Sequence, residues 1–178
     1  MIKSSKQLLW IVPAVIVSVI TVWLWQTTGN KQHAPDISFP LIDGREIPLS
    51  SLSGQPVLVT FWASTCMECL REMPHLIMLH RELSASGFEI IGVAMPYDQP
   101  DRVLATSRRM NIPYPVALDI DGNAVRAFGD VAATPASFLI SPDGRIVRSH
   151  TGVMDIDQLR HDVISLISAE SQVTGHKL

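Results

Sequence analysis

The chain reads as an α/β domain, a mixed central sheet covered by helices, carried behind one N-terminal membrane-spanning helix. Three observations point there. Residues 56–63 (PVLVTFWA) and 88–95 (FEIIGVAM) are short, continuously apolar runs, the composition of strands buried on both faces. Segments with apolar residues at helical spacing alternate with them. Residues 8–25 (LLWIVPAVIVSVITVWLW) carry no charge at all.

The uncharged run comes first in the chain. As a helix its 18 residues would reach about 27 Å, against ~30 Å for the hydrocarbon of a bilayer. Trp10 stands near one end and Trp23 and Trp25 near the other, where aromatic side chains favour the membrane interface. Lys3 and Lys6 precede the run, which orients the N-terminus to the cytoplasm and the rest of the chain outside. A cleaved signal peptide is the competing reading. The run exceeds the usual apolar core of such a peptide, and Thr27-Thr28-Gly29 is only a weak substitute for an A-x-A site. The expected organisation is a cytoplasmic N-terminus and signal-anchor at 1–26, a polar tether at 27–34, one domain at 35–170 and a tail at 171–178.

The composition narrows the classes. With 178 residues the chain has room for one domain of ordinary size beyond the anchor. Two cysteines exclude a disulfide scaffold and a four-cysteine zinc site. A net charge of −3 argues against a nucleic-acid partner.

Along the domain, residues 37–41 and 45–49 around Asp43-Gly44 predict a hairpin, and residues 56–63 a buried strand. Apolar residues at 70, 73, 76, 77, 79 and 83 predict a helix over 69–84, with Pro74 inside it as a kink. A second buried strand follows at 88–95, then a polar helix at 99–111, a short extended piece at 115–118 and a short helix at 123–128. Residues 136–140 and 145–151 around Ser141-Pro142-Asp143-Gly144 predict a second hairpin. The closing amphipathic helix, 155–168, turns Ile156, Leu159, Val163, Leu166 and Ile167 inward.

The chemistry concentrates at Cys66-Met67-Glu68-Cys69, directly after the first buried strand and at the start of the next helix. Two side chains three apart on a helix share a face, close enough to close a disulfide. The first cysteine lies where free N–H groups and the helix dipole favour a thiolate, so Cys66 is the expected nucleophile and Cys69 the resolving thiol. Buried inert thiols, a static disulfide and a zinc site recruiting His75 and His80 are the rival readings. Free thiols persist poorly outside the cytosol. A loop so short constrains the unfolded chain little. The two histidines stand five apart, about 140° around a helix.

The segment FWASTCMECLREMP resembles the active site of thioredoxin-fold proteins. With the membrane run, the leading hairpin and the extra strand and helix, the chain resembles the TlpA/ResA-type anchored thiol–disulfide oxidoreductases, among them the cytochrome c maturation thioredoxins. The resemblance covers about residues 35–170 and implies a thioredoxin-like fold with an N-terminal hairpin and an inserted strand-helix. It implies that Thr134-Pro135 carries a cis bond facing the dithiol, with adjoining backbone that pairs with substrate, and that Trp62 lies against the active site.

There are departures. Thr60 stands where thioredoxins bury an aspartate; Asp98 is the nearby acid that could assist Cys69, and Glu68 is another, though it reads first as a solvated surface residue. A charge at Glu68 should raise the Cys66 pKa and favours a reductant. The peroxidase pattern P-x3-T-x2-C is absent, with Val59 and Ala63 in its places.

The expected activity is thiol–disulfide exchange with exported proteins, most simply reduction of cysteine pairs in apocytochrome c or a copper-site protein. Electrons would come from a membrane thiol carrier, and no cofactor is needed beyond the Cys66–Cys69 pair. A general oxidant or isomerase, and a metal or cofactor chaperone on the same scaffold, are the alternatives.

Overall fold

The computed structural model describes residues 32–175; the expected anchor (1–26) and the first part of the tether lie outside the described residues. Among the described residues no helix is long and apolar enough to cross a membrane.

The first hairpin pairs β1 (Ser38–Pro40) with β2 (Glu46–Pro48), antiparallel, as a separate two-stranded ribbon. Both expected buried strands form: β3 (Val57–Trp62), with every residue buried, and β4 (Glu89–Ala94). They run parallel to each other and to β5 (Val116–Leu118). β6 (Ala136–Ile140) and β7 (Ile146–Thr151) complete a five-stranded sheet in the order β5-β4-β3-β6-β7, with β6 antiparallel to β3.

Among the described residues four α-helices accompany the sheet: α1 (Met67–Leu83), α2 (Pro100–Met110), α3 (Asn123–Ala127) and α4 (Ile156–Gly175). Because β3 is buried on both faces, its alternate residues divide between two cores. Leu58 and Trp62 pack with Cys69, Met73, Leu76 and Leu79 of α1 and with Leu159 and Val163 of α4. Val57, Val59 and Phe61 pack on the other side with Phe39, Phe128 and Ile140. The Phe61, Phe128 and Phe138 rings meet there edge-on or tilted.

Three expected boundaries move. Helix α1 begins at Met67, ahead of the expected Cys69, because Cys66 caps it. Helix α4 continues through residues assigned to the tail, since no glycine or proline interrupts the chain before Gly175. The last tether residues are tied to the domain: Ile146 N donates to Gln32 O at 2.9 Å and Ala34 N to Gly144 O at 2.8 Å, so they occupy edge groups of the β6–β7 hairpin.

Candidate active site

Strand β3 delivers the chain to one end of the sheet, and a tight turn follows, with Cys66 N donating to Ala63 O at 3.0 Å. Cys66 has extended backbone and caps α1; its Sγ accepts from Cys69 N at 3.2 Å. Cys66 and Cys69 form a disulfide with their Cα atoms 5.3 Å apart. Their environments differ sharply. Cys66 is half-buried, whereas Cys69 is 3 % exposed and lies inside the α1 core. In the dithiol form, a Cys66 thiolate gains from the Cys69 N–H and from the positive end of a 17-residue helix.

The Thr134–Pro135 bond is cis. Its position relative to the cysteines follows from register. Phe61 pairs with Ala136, so one step further along these antiparallel strands Trp62 and Pro135 reach the same end of the sheet, the end from which Cys66 emerges. Pro135 is buried and its carbonyl accepts from Gly152 N at 2.8 Å. Trp62, 3 % exposed, packs in the same core as Cys69. Its indole N–H has no hydrogen-bond partner among the described residues and lies over Gly92, where a Cβ would stand 3.3 Å from Nε1 and 3.2 Å from the Tyr114 ring. The absent side chain of Gly92 is what lets the two rings sit on β4.

Of the flanking acids, Asp98 holds the turn and Glu68 lies on the solvated surface. Both oxygens of the Asp98 carboxylate are occupied: Oδ2 accepts from Ser64 N at 2.5 Å, and Oδ1 from Ser64 Oγ at 2.6 Å and from Gln99 N at 2.9 Å. Asp98 therefore clamps the turn that presents Cys66. Glu68 is exposed and paired with Arg71 at 2.6 Å, on the solvated surface of α1. Thr60 accepts from Ser137 Oγ at 2.9 Å inside the core, a neutral hydroxyl pair.

One group went unnoticed in the sequence. Glu72, three residues beyond Cys69 on α1, is 2 % exposed and accepts from Met154 N at 2.7 Å. Burial pushes its carboxyl above the ordinary range, against the opposing pull of the Met154 bond and of His150 and His75. Tyr114 is held un-ionised by burial and by the Glu72 charge. The available signal was a carboxylate in the inward stripe that Cys69, Met73 and Leu76 define. The histidines considered for zinc diverge: His80 Nε2 meets Glu89 Oε1 at 2.8 Å, while His75 is exposed.

A partly accessible cysteine capping a helix, disulfide-bonded to a buried one, with a cis-proline strand end at the same end of the sheet, defines a thiol–disulfide oxidoreductase on a thioredoxin-like fold. The AhpC/TSA family profile matches residues 31–149, two-thirds of the chain, and the protein belongs to that family. Within it, the chain is 31% identical over 142 residues to the thiol-disulfide oxidoreductase ResA of Bacillus subtilis (strain 168), covering 80% of this chain and 78% of that one. It is 34% identical over 133 residues to ResA of Halalkalibacterium halodurans, covering 73% and 72%. Among solved structures it resembles a thiol:disulfide interchange protein of Chlorobium tepidum TLS (TM-score 0.72, 25% identity, 78% of this chain and 98% of that one). MTB dsbF is also similar, with TM-score 0.68, 26% identity and coverage of 75% and 96%. The enzyme is thus a ResA-type thiol–disulfide oxidoreductase. Val59 and Ala63, both fully buried, stand where the peroxidase pattern needs proline and threonine.

Proposed function

We propose that the protein is a membrane-anchored, extracytoplasmic reductase of disulfides in exported proteins, with Cys66 as nucleophile and Cys69 as resolving thiol. The supporting observation is the contrast in access: Cys66 can be reached at the helix cap, and Cys69 lies buried behind it. The Cys66 thiolate attacks one sulfur of a substrate disulfide and expels the other as a thiolate. Cys69, deprotonated, then attacks Cys66 Sγ, closing the internal disulfide and releasing the second substrate sulfur. Two electrons pass to the substrate, and both substrate thiolates take up protons. Trp62, Thr134 and Pro135 border the mixed disulfide as the substrate-binding residues. The uncharged run at 8–25 supplies the anchor. A membrane thiol carrier restores the dithiol, which needs no further cofactor. Substrates of the apocytochrome c or copper-site type follow from the resemblance to maturation thioredoxins.

The test is trapping in the exported compartment together with a redox titration. Cys69→Ser should accumulate mixed disulfides with partners and Cys66→Ser none; equal trapping by both reverses the assignment. A soluble fragment from Lys31 retains Trp62 as its sole tryptophan, so its emission reports the dithiol in graded redox buffers. A potential near thioredoxin's, about −270 mV, supports reduction; one between about −120 and −180 mV supports the oxidant or isomerase reading. The Glu68–Arg71 pair gives that second reading its weight, because Arg71 sets a positive charge beside the carboxylate that disfavours a Cys66 thiolate.

A further inference from the structure

The chain has seven methionines, of which Met1 lies outside the described residues, and the rest divide by access. Met73, Met95 and Met154 are buried and Met110 is half-buried, whereas Met67 is 61 % exposed and Met78 58 % exposed. Both exposed side chains belong to α1 and stand eleven residues apart, close to three full turns. They therefore share one side of the helix, separated by ~16 Å along its axis. Their places relative to the dithiol differ. Met67 is the first residue of α1 and the chain neighbour of Cys66, inside the loop that the Cys66–Cys69 disulfide closes. Met78 lies near the other end of the helix. Packing does not account for Met67: it belongs to neither apolar cluster, while Cys66 beside it borders both.

We propose that Met67 is an oxidation site that governs exchange at Cys66: a hydroperoxide converts its thioether to the sulfoxide, and the modified enzyme reacts more slowly with disulfide substrates. The proposal rests on the exchange reaction above and adds its regulation. In the oxidation, the peroxide O–O bond breaks and one oxygen bonds to Met67 Sδ. The other oxygen leaves as water or an alcohol, and the sulfur gives up two electrons. Access selects the residue. In the disulfide form neither cysteine offers the oxidant a thiolate, and the exposed thioethers are the sulfurs left within its reach. Position supplies the consequence. A substrate sulfur bonded to Cys66 Sγ brings its own polypeptide alongside the next residue of the chain, which presents a large exposed apolar side chain. The thioether meets that polypeptide as a flexible, polarisable apolar group; the sulfoxide sets a hydrated S–O dipole there instead. Oxidation of Met78 makes the same chemical change ~16 Å further along the helix and so serves as the internal control.

The experiment treats the full-length protein, in its disulfide form, with hydrogen peroxide and maps the methionines by mass spectrometry. The dithiol is then restored with dithiothreitol and the excess removed. The single-turnover rate is measured with a short cysteine peptide blocked as a glutathione mixed disulfide. Met67 and Met78 should take up oxygen well before Met73, Met95 and Met154. Oxidation should lower the rate about fivefold in the wild type and in Met78→Leu, and leave Met67→Leu at its own untreated rate. Met67→Gln, polar from the start, should be slow before treatment and insensitive to it. The two methionine sulfoxide reductases, one for each epimer, should restore the wild-type rate. A Met67 that stays reduced while Met78 is oxidised overturns the proposal. So does a fully oxidised Met67 with an unchanged rate, or an equal loss of rate in Met67→Leu. Failure of the untreated protein to react with the peptide refutes the exchange activity itself, a result distinct from each of these.

Discussion

Replacing Glu72 separates what its charge does from what its hydrogen bond does. The carboxyl is 2 % exposed and accepts from Met154 N, itself in a residue 8 % exposed. Glu72→Ala leaves that N–H buried without an acceptor, at a cost of about 1–3 kcal/mol, and removes one buried methylene worth ~0.8 kcal/mol. Relief of a buried charge offsets part of the loss, so the net destabilisation at pH 7 should be about 1–3 kcal/mol. Glu72→Gln keeps an oxygen for Met154 N and carries no charge; its stability at pH 7 should match or exceed the wild type. The pH dependence has a definite sign. Burial raises the folded-state pKa above the ordinary 4.5, so the native state binds more protons than the unfolded chain between 4.5 and the raised value. The group's contribution to stability is complete below 4.5 and is lost as pH rises through that window. Glu72→Gln abolishes that part of the slope. Urea unfolding of residues 32–178 between pH 4 and 8, followed by Trp62 fluorescence, measures both quantities. An unchanged slope in the glutamine variant, or a glutamine variant as unstable as the alanine one, would refute this account of Glu72.

Three further outcomes follow from the contacts around the dithiol. Asp98→Ala leaves the Ser64 N–H and hydroxyl without their carboxylate and should lower the unfolding free energy by about 1.5–3 kcal/mol, read from urea midpoints at constant m-value. Thr60→Val strands the Ser137 hydroxyl in the core, whereas Thr60→Val combined with Ser137→Ala removes both partners; a double-mutant cycle should return a coupling of about 1 kcal/mol, and zero coupling would mean that the pair does not form. Gly92→Ala sets a methyl against Trp62 Nε1 and the Tyr114 ring and should cost about 1–3 kcal/mol with a shift in Trp62 emission; an unshifted spectrum would place the indole elsewhere.

What the sequence disclosed was whatever depends on neighbours along the chain. Two apolar runs of strand length identify β3 and β4, and the C-x-x-C pair behind the first of them identifies the disulfide and its place at the helix cap, because helix caps and three-residue spacing are local geometry. The groups that tune the site are set by pairs far apart in sequence. Glu72 meets Met154 across 82 residues, Ser64 meets Asp98 across 34, and Thr60 meets Ser137 across 77. Asp98 shows the limit clearly. Its proximity to the cysteines was legible from the end of β4, but its role was not, since a clamp and a base differ only in what occupies the two oxygens. Glu72 was passed over for a related reason: its place in the inward stripe of α1 was legible, but its partner, the Met154 N–H, was not.

These long-range pairs converge because of one feature of the topology. Strands β3 and β4 are parallel, so the loops after both open at the same end of the sheet, one carrying Cys66 and the other Asp98. Strand β6 is antiparallel to β3 and starts where β3 finishes, which sets the cis-proline at that same end. Strand β7 then returns to it, and the residues that follow bond in two directions: Gly152 N to the Pro135 carbonyl, and Met154 N to Glu72 on the helix that carries the dithiol. A parallel β6 would carry its proline to the far end of the sheet and break this meeting. The mixed sheet is therefore the condition that brings the disulfide, the turn clamp behind Cys66 and the cis-proline strand end to one end of the sheet.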